Sequence, residues 1–265
     1  MKRYFKFFDY YLEVFAKRLS GRGLMNPSSN GEFNVLESIV KNSETSISFI
    51  DGGCNMGRHV IKFIFLCKKY GVTKYSIFAV EPFPSNIKVL KKNLKEIKHF
   101  LIDKALGKDK ARIKFFFEDE VDNSGRPSAI NHYYLKNSID VEQTTIDALL
   151  EDYDIKKIDF LKLDIEGYEY NALLGAEKTL SKGLIDYIQL EYNQTWIKGG
   201  GTIEKILELA QRYSYKLYRI RKNDMLQIIS YDYNLDDFFY CNLILVKEGC
   251  RLPLPSNRTA IPTIC

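Results

Sequence analysis

The chain lacks any apolar run near the roughly 18 residues that a membrane span requires, so no integral membrane segment is expected. Cysteine is scarce and odd in number: Cys54, Cys67, Cys241, Cys250 and Cys265, without metal-ligand spacing. That argues against a zinc site and a disulfide framework, and suits reduced thiols in a cytoplasmic compartment. Internal repeats and low-complexity tracts are missing too. The basic, aromatic start (Met1 to Ser20) is interrupted by Asp9 and Glu13 and has no small-residue cleavage site, so a signal peptide is not expected. The formal charge is only +5, with cations scattered among acids, which gives no nucleic-acid footprint. What remains is ordinary: 265 residues, 45% apolar and 28% charged, enough for one large domain with a cap or insertion.

Strand and helix signals alternate from Ser46 onward. Strands are expected at Ile47–Asp51, Tyr75–Glu81, His99–Asp103, Ile158–Asp164, Ile185–Glu191, Tyr215–Ile220 and Tyr240–Val246. Helical spacing marks Val60–Leu66, Asn86–Lys95, Tyr168–Leu180 and Ile203–Arg212. This alternation predicts an α/β fold, a mostly parallel sheet with helices on both faces. Periodicity leaves open whether the last strand runs antiparallel at an inner position. Two stretches break the rhythm, 112–142 and 221–239, and are read as edge elaborations near a ligand mouth. Residues 1–45 read as an N-terminal helical cap, with Tyr4, Phe8, Tyr11, Phe15 and Leu19 at helical steps. The alternative for that helix is a membrane-surface or partner-binding face. Residues 46–250 form the main domain and 251–265 an extended tail.

The chemistry concentrates after the first strand, in Asp51-Gly52-Gly53-Cys54-Asn55-Met56-Gly57. A strand that turns through glycines into a helix lets backbone approach a ligand closely. The second strand ends in Glu81-Pro82, where an acid can accept both hydroxyls of a ribose; the plain alternative is a solvated strand end. Loop and acid together imply a nucleoside-containing ligand. The loop is not G-x-G-x-x-G, which counts against a dinucleotide, and no Gly-Lys-Ser/Thr follows, which counts against a P-loop. Its acid and amide, Asp51 and Asn55, suit an ammonium group. S-adenosylmethionine carries one, together with a carboxylate and a ribose. Asp103 and Ala105, after the third strand, would then lie near adenine.

Five segments in order resemble the FkbM-type methyltransferases. They are Phe49–Gly57, Val80-Glu81-Pro82-Phe83-Pro84-Ser85-Asn86, Lys104-Ala105-Leu106-Gly107, Thr144–Leu150 and Leu161-Lys162-Leu163-Asp164-Ile165-Glu166-Gly167-Tyr168-Glu169. The likeness runs from about Ser46 to Glu191; Ile146 stands where leucine is frequent, and the region after Arg221 matches poorly. The resemblance implies a class I, Rossmann-like fold with a central seven-stranded sheet. It also implies S-adenosylmethionine as methyl donor, bound by Asp51, Gly52, Gly53, Asn55, Gly57, Glu81, Pro82, Asp103, Ala105 and Asp164, and a hydroxyl of a sugar, glycan or natural product as acceptor.

A hydroxyl acceptor needs a base, and the candidates are Asp164, Glu166, Glu191 and His132. Glu166 and Glu169 are alternatively first-turn acids that favour the helix dipole, a reading preferred for Glu169. His132 is alternatively a surface residue. Asp164, Glu191 and Asn193 form a conceivable oxygen set for Mg²⁺, although no metal is expected. Two other functions fit the same cradle: a nicotinamide-dependent oxidoreductase, and a non-catalytic adenosyl-ligand-binding subunit. The amino-methylating N-P-P-Y motif is missing, which argues against nucleic-acid methylation. Spacing leaves the oligomeric state open.

Overall fold

The structure is a computed structural model that describes residues 22–43, 46–118, 126–132 and 135–258, together with 11, 12 and 15. Of the N-terminal helical steps, Tyr11 and Phe15 are described and exposed, while Tyr4, Phe8 and Leu19 lie outside the described residues. The strands are β1 (Ile47–Gly52), β2 (Tyr75–Val80), β3 (Phe100–Ile102), β4 (Ala105–Leu106), β5 (Ala111–Phe117), β6 (Asn137–Thr144), β7 (Ile158–Leu163), β8 (Ile185–Tyr192), β9 (Tyr215–Ile220), β10 (Met225–Ile228), β11 (Cys241–Lys247) and β12 (Ser256–Arg258). The helices from residue 22 onward are α1 (Pro27–Asn30), α2 (Glu32–Lys41), α3 (Arg58–Tyr70), α4 (Pro84–Asn93), α5 (Ile146–Asp152), α6 (Glu169–Leu174), α7 (Glu177–Ser181), α8 (Trp196–Gly199) and α9 (Ile203–Arg212).

The inner strands are mostly apolar because both of their faces are covered. Successive side chains point to opposite faces. Ile50, Leu161 and Leu245 pack with Ile146, Leu173 and Ile206 of α5, α6 and α9. Their neighbours Phe49, Phe160 and Ile244 pack with Val35, Leu36, Val60 and Phe63 of α2 and α3.

The main sheet has the order β12-β10-β9-β11-β8-β7-β1-β2-β3. β1 runs parallel to β2 and β7, β7 to β8, and β2 to β3. β11 sits between β8 and β9, antiparallel to both, which answers the question that periodicity left open. The sheet therefore holds nine strands rather than seven. β10 and β12 extend it at the β9 edge. The sequence reading missed β10 because Met225 and Ile228 are its only buried residues, inside a polar stretch. It missed β12 because Ser256–Arg258 is a short pairing in what reads as an extended tail.

Two other elements differ from expectation. The helix predicted over Tyr168–Leu180 is broken into α6 and α7 at Gly175, which lies so close to Gly107 that a Cβ would overlap the Gly107 carbonyl oxygen. The 112–142 stretch contributes β5 and β6, which join β4 in a second sheet of three strands over Phe83, Ala105, Phe115, Phe117 and Val141.

The chain departs from β1 toward β2 and β3 on one side and later fills the other side with β7 and β8. The strand order reverses between β1 and β7, and open α/β sheets bind ligands at such a point, beyond the carboxyl ends of the strands.

Candidate active site

A cavity of about 350 Å³ opens at that point, lined from β1, β2, β7 and β8 ends and from the segments 25–32 and 126–129. Its floor begins with the loop after β1. Gly53 has φ +76° and packs against the end of β7, so a Cβ there would overlap the Asp164 carbonyl oxygen. Asp164 N donates to Gly52 O at 3.0 Å, and Gly53 N and Cys54 N both donate to Val80 O at 3.0 Å. The loop is thereby sewn to both neighbouring strands. Asn55, at φ +49°, carries the turn onward.

Glu81 is the brace of this loop. It is 4% exposed, so the solvated alternative is wrong. Its Oε2 accepts from Asn55 N at 2.8 Å, and its Oε1 from Phe83 N at 2.9 Å and Asn86 Nδ2 at 3.2 Å. Burial, acting against these bonds, pushes its carboxyl up to about 7. Gly53, Asn55, Glu81, Pro82, Ala105 and Asp164 all line the cavity.

Four of the expected donor residues do not. Asp103 is exposed at the mouth of the β3–β4 turn. Gly52 and Gly57 serve packing, against Leu163 and Leu106 and against Leu90 and Leu94 respectively. Asp51 is 1% exposed behind the loop, beside the buried Cys54 thiol, and among the described residues no N–H or O–H donor reaches its carboxylate. Burial and then Asp51 push that thiol well above its usual range.

At the other end of the cavity three acids meet. One oxygen from each of Asp164, Glu166 and Glu191 lies within 4.8 Å of the others. Asp164 follows β7 directly. Glu166 stands at φ +52° before Gly167 at φ +100°, a sharp turn that aims it back over the cavity. Glu191 comes from the end of β8 and is 8% exposed. Its Oε2 accepts from Asn193 Nδ2 at 2.8 Å. Burial first, then Asp164, Glu166 and Glu169, raise its pKa well above the carboxylate range. Burial and Asp164 likewise push Glu166 up to about 7, against Arg126 and Lys162. Among the described residues, nothing donates a hydrogen bond to the buried Glu166 Oε2. Of the conceivable Mg²⁺ set, Asp164 and Glu191 meet in this cluster, while Asn193 Oδ1 accepts from Thr195 N at 2.8 Å and Thr195 Oγ1 at 2.5 Å. Two protein cations serve the acid cluster: Lys162 Nζ is 2.7 Å from Asp164 Oδ2, and Arg126 Nε is 3.6 Å from Glu166 Oε1.

His132 does not line the cavity. Its ring bonds the Arg126 main chain, and burial lowers its pKa, so it supports the segment that carries Arg126. Glu169 is fully buried: Oε1 accepts from Ile165 N at 2.9 Å and Gly167 N at 3.4 Å, which pins the turn under Glu166. The helix-dipole reading of Glu169 therefore omits its main role.

Sequence reasoning missed Glu32 and gave Lys162 no role. Glu32 lines the cavity from the first turn of α2. It accepts from Asn30 at 2.6 Å, Gln189 and Asn242 at 3.0 Å, and pairs with His59 at 3.2 Å. Burial would raise its pKa, but the His59 bond, the Lys162 charge and the Asn30 bond bring it down to about 2. The signal for Lys162 was a lysine inside an otherwise apolar parallel strand. The signal for Glu32 was an acid on a helix that reads as a cap.

The residues present fit S-adenosylmethionine. Asn55 Oδ1 and Glu166 Oε2 are buried acceptors without donors, the kind of atom an ammonium or hydroxyl satisfies. Val80, Ala105, Leu106 and Phe115 give apolar surface for adenine. A glycine-lined approach, an acid at the end of the second strand and carboxylates to offset a sulfonium define a nucleoside-dependent group-transfer site on a doubly wound sheet.

Comparison with known proteins gives the class its name. Residues 51–217, more than half of the chain, match the family model described as the methyltransferase FkbM domain. The protein belongs to the FkbM methyltransferase family, and its sheet is the class I methyltransferase arrangement with two added edge strands. Among solved structures, a precorrin-6y C5,15-methyltransferase from Geobacter metallireducens is 10% identical, covering 82% of this chain and 88% of its own at a TM-score of 0.42. A TehB-like SAM-dependent methyltransferase from Corynebacterium glutamicum is 12% identical, covering 91% and 100% at a TM-score of 0.40. Nothing about the reaction follows from likenesses of that size. No curated protein matches the chain. Among the described residues no helix is long and apolar enough to cross a membrane.

Proposed function

We propose that this protein moves a methyl group from S-adenosylmethionine to a hydroxyl oxygen of a sugar, glycan or natural-product acceptor. The observation that carries the reading is Glu166: a cavity-lining carboxylate with a free buried oxygen, beside a glycine cradle built for a nucleoside. The donor supplies a methyl group already activated on a sulfonium. The protein's task is therefore positioning and proton removal.

Gly53, Asn55, Glu81, Pro82 and Ala105 hold the donor in this reading, with Glu81 at the ribose through lone pairs left beside its three internal bonds. The carboxylates of Asp164, Glu166 and Glu191 attract the sulfonium end. Their benefit must persist while the charge disappears, so they cannot act by attraction alone. Glu166 takes the acceptor's proton at Oε2. A base works best with a pKa near the operating pH, and burial has moved Glu166 there. Glu191 is tied to Asn193 and Asp164 to Lys162; Glu166 meets Arg126 through Oε1 and, among the described residues, keeps Oε2 unpartnered. His132 has no place in this mechanism.

Residues 46–250 would form the methyltransferase domain, and 251–265 a tail. Residues 1–45 would form a cap that contributes Glu32 to the site. Four described cysteines, Cys54, Cys67, Cys241 and Cys250, are free thiols, which suits a cytoplasmic setting. The mild charge favours a hydroxylated small molecule or glycan over nucleic acid. The non-catalytic adenosyl-binding alternative shares the cradle and gives Glu166 no task.

The test pairs calorimetry with turnover: titrate S-adenosylmethionine, then follow labelled methyl into a panel of hydroxylated acceptors. Binding with transfer to oxygen is expected. Binding without transfer to any acceptor favours the non-catalytic subunit, and preferential binding of a nicotinamide dinucleotide favours the oxidoreductase.

A further inference from the structure

Lys162 lines the cavity, and the mechanism above leaves it without a role. It lies in β7 between Leu161 and Leu163, both fully buried, and is itself 2% exposed. An ammonium at such a place is costly unless carboxylates meet it. Three do, from three elements. Asp51 is its register partner on β1, Glu32 faces it from α2, and Asp164 takes the direct bond at 2.7 Å. The choice of Asp164 is informative. Glu32 already receives hydrogen bonds from Asn30, Gln189 and Asn242 and a fourth contact from His59. Asp51 is a buried carboxylate that no N–H or O–H reaches, and it would be the obvious mate for a counter-ion whose only purpose was to neutralise charge. Lys162 instead reaches toward the reactive end, to a carboxylate about a third exposed.

Asp164 needs holding there. Glu166 and Glu191 crowd it, with oxygens within 4.8 Å, and like charges at that spacing repel. Arg126 faces the cluster from the 126–129 segment and Tyr240 from the start of β11, but Arg126 makes its close contact with Glu166. Among the described residues, Lys162 is the cation bonded directly to Asp164.

We propose that Lys162 is a positioning residue for methyl transfer: its ammonium, rising from the strand under the cavity, holds the Asp164 carboxylate in the three-acid cluster and so sets where the acceptor oxygen can sit. This rests on the proposed methyltransferase reading. A misplacement of about 1 Å at a reacting centre can cost about 100-fold in rate. A residue that merely balances charge would affect stability instead.

The experiment compares Lys162→Met, Lys162→Arg, Asp164→Asn and the Lys162→Met/Asp164→Asn double variant. Lys162→Met should lower kcat about 100-fold while the S-adenosylmethionine Kd by calorimetry moves by no more than about threefold. Lys162→Arg should recover part of that loss. The double variant should be within about threefold of Lys162→Met alone, because the two residues act as one unit. A crystal structure of Lys162→Met should show the Asp164 carboxylate turned away from Glu191. Losses that multiply in the double variant, or an Asp164 unmoved in the crystal, would overturn the proposal; so would a kcat that holds while the Tm falls. Lys162→Gln, which keeps a donor without the charge, carries the same comparison if Lys162→Met does not fold. The calorimetry separates this failure from that of the parent reading: a wild-type protein that takes no donor refutes the methyltransferase, while the crystal still reports whether Lys162 holds Asp164.

Discussion

Glu81 and Glu166 are two buried carboxylates at two ends of one cavity, both pushed up to about 7 by burial. They differ in what their oxygens do. Both oxygens of Glu81 accept hydrogen bonds, two of them from backbone N–H groups of the turns it braces. Glu166 keeps one oxygen buried and unpartnered over the cavity. A shared pKa displacement therefore conceals opposite jobs. Of these two acids, Glu81 has both oxygens committed to shaping the site, while Glu166 has one left to take a proton.

Breaking the donor end should have the largest effect. Gly53→Val places a side chain onto the Asp164 carbonyl oxygen at a positive φ, so the cradle must open. Calorimetry should show S-adenosylmethionine affinity reduced by at least about 100-fold, since the combined strain and overlap are worth several kcal/mol. Breaking the reactive end should cost turnover far more than binding: Glu166→Gln should cut kcat by about 10²–10⁴-fold, the usual contribution of a positioned base. Its donor Kd should stay within about threefold, and a loss confined to Kd would move Glu166 to the binding list. Glu81→Ala should do the reverse of Glu166→Gln. Three donors lose their acceptor, so the Tm should fall with a stability loss of about 2–4 kcal/mol, and donor Kd should rise more than kcat falls. Equal kcat effects at the two acids would erase the contrast.

The effect least tied to the reaction concerns Glu169, which pins the turn under Glu166. Burial pushes its carboxyl from 4.5 up to about 8. A folded-state pKa raised above the unfolded value favours the protonated fold. That stability is complete below about 4.5 and is lost as pH rises to about 8. Glu169→Gln has no such proton to lose. Its thermal stability relative to wild type should therefore grow between pH 5 and pH 8, by up to about 1.4 kcal/mol per pH unit, and then level off. A difference that is flat across this window would mean that Glu169 is ionised throughout.

Much of this contrast was visible in the primary structure and part of it was not. The buried strands Ile158–Leu163 and Ile185–Tyr192 are legible because both faces are covered and apolar residues outweigh the few polar ones within them. Gly53 and Glu81 are legible because a close backbone approach and a strand-end acid leave local signatures. Asp51 carries the same local signature and points elsewhere, toward Lys162 and Cys54, since the face a loop residue takes is decided by its neighbours in space. His132 was a chemically reasonable base by residue type, but its distance from the cavity depends on how the 126–132 segment packs. Glu32 was hidden for the opposite reason: of the four partners that converge on it, His59, Gln189 and Asn242 are distant in sequence and only Asn30 is local.

The most direct measurement of the whole account is a crystal structure with bound S-adenosylhomocysteine, the demethylated donor. The account predicts its ribose beside Glu81 over the Gly53 loop, and its sulfur at the end of the cavity where Asp164, Glu166 and Glu191 converge. A ligand bound in the reverse sense, with adenine against the three acids, or one lying outside this cavity, would contradict it.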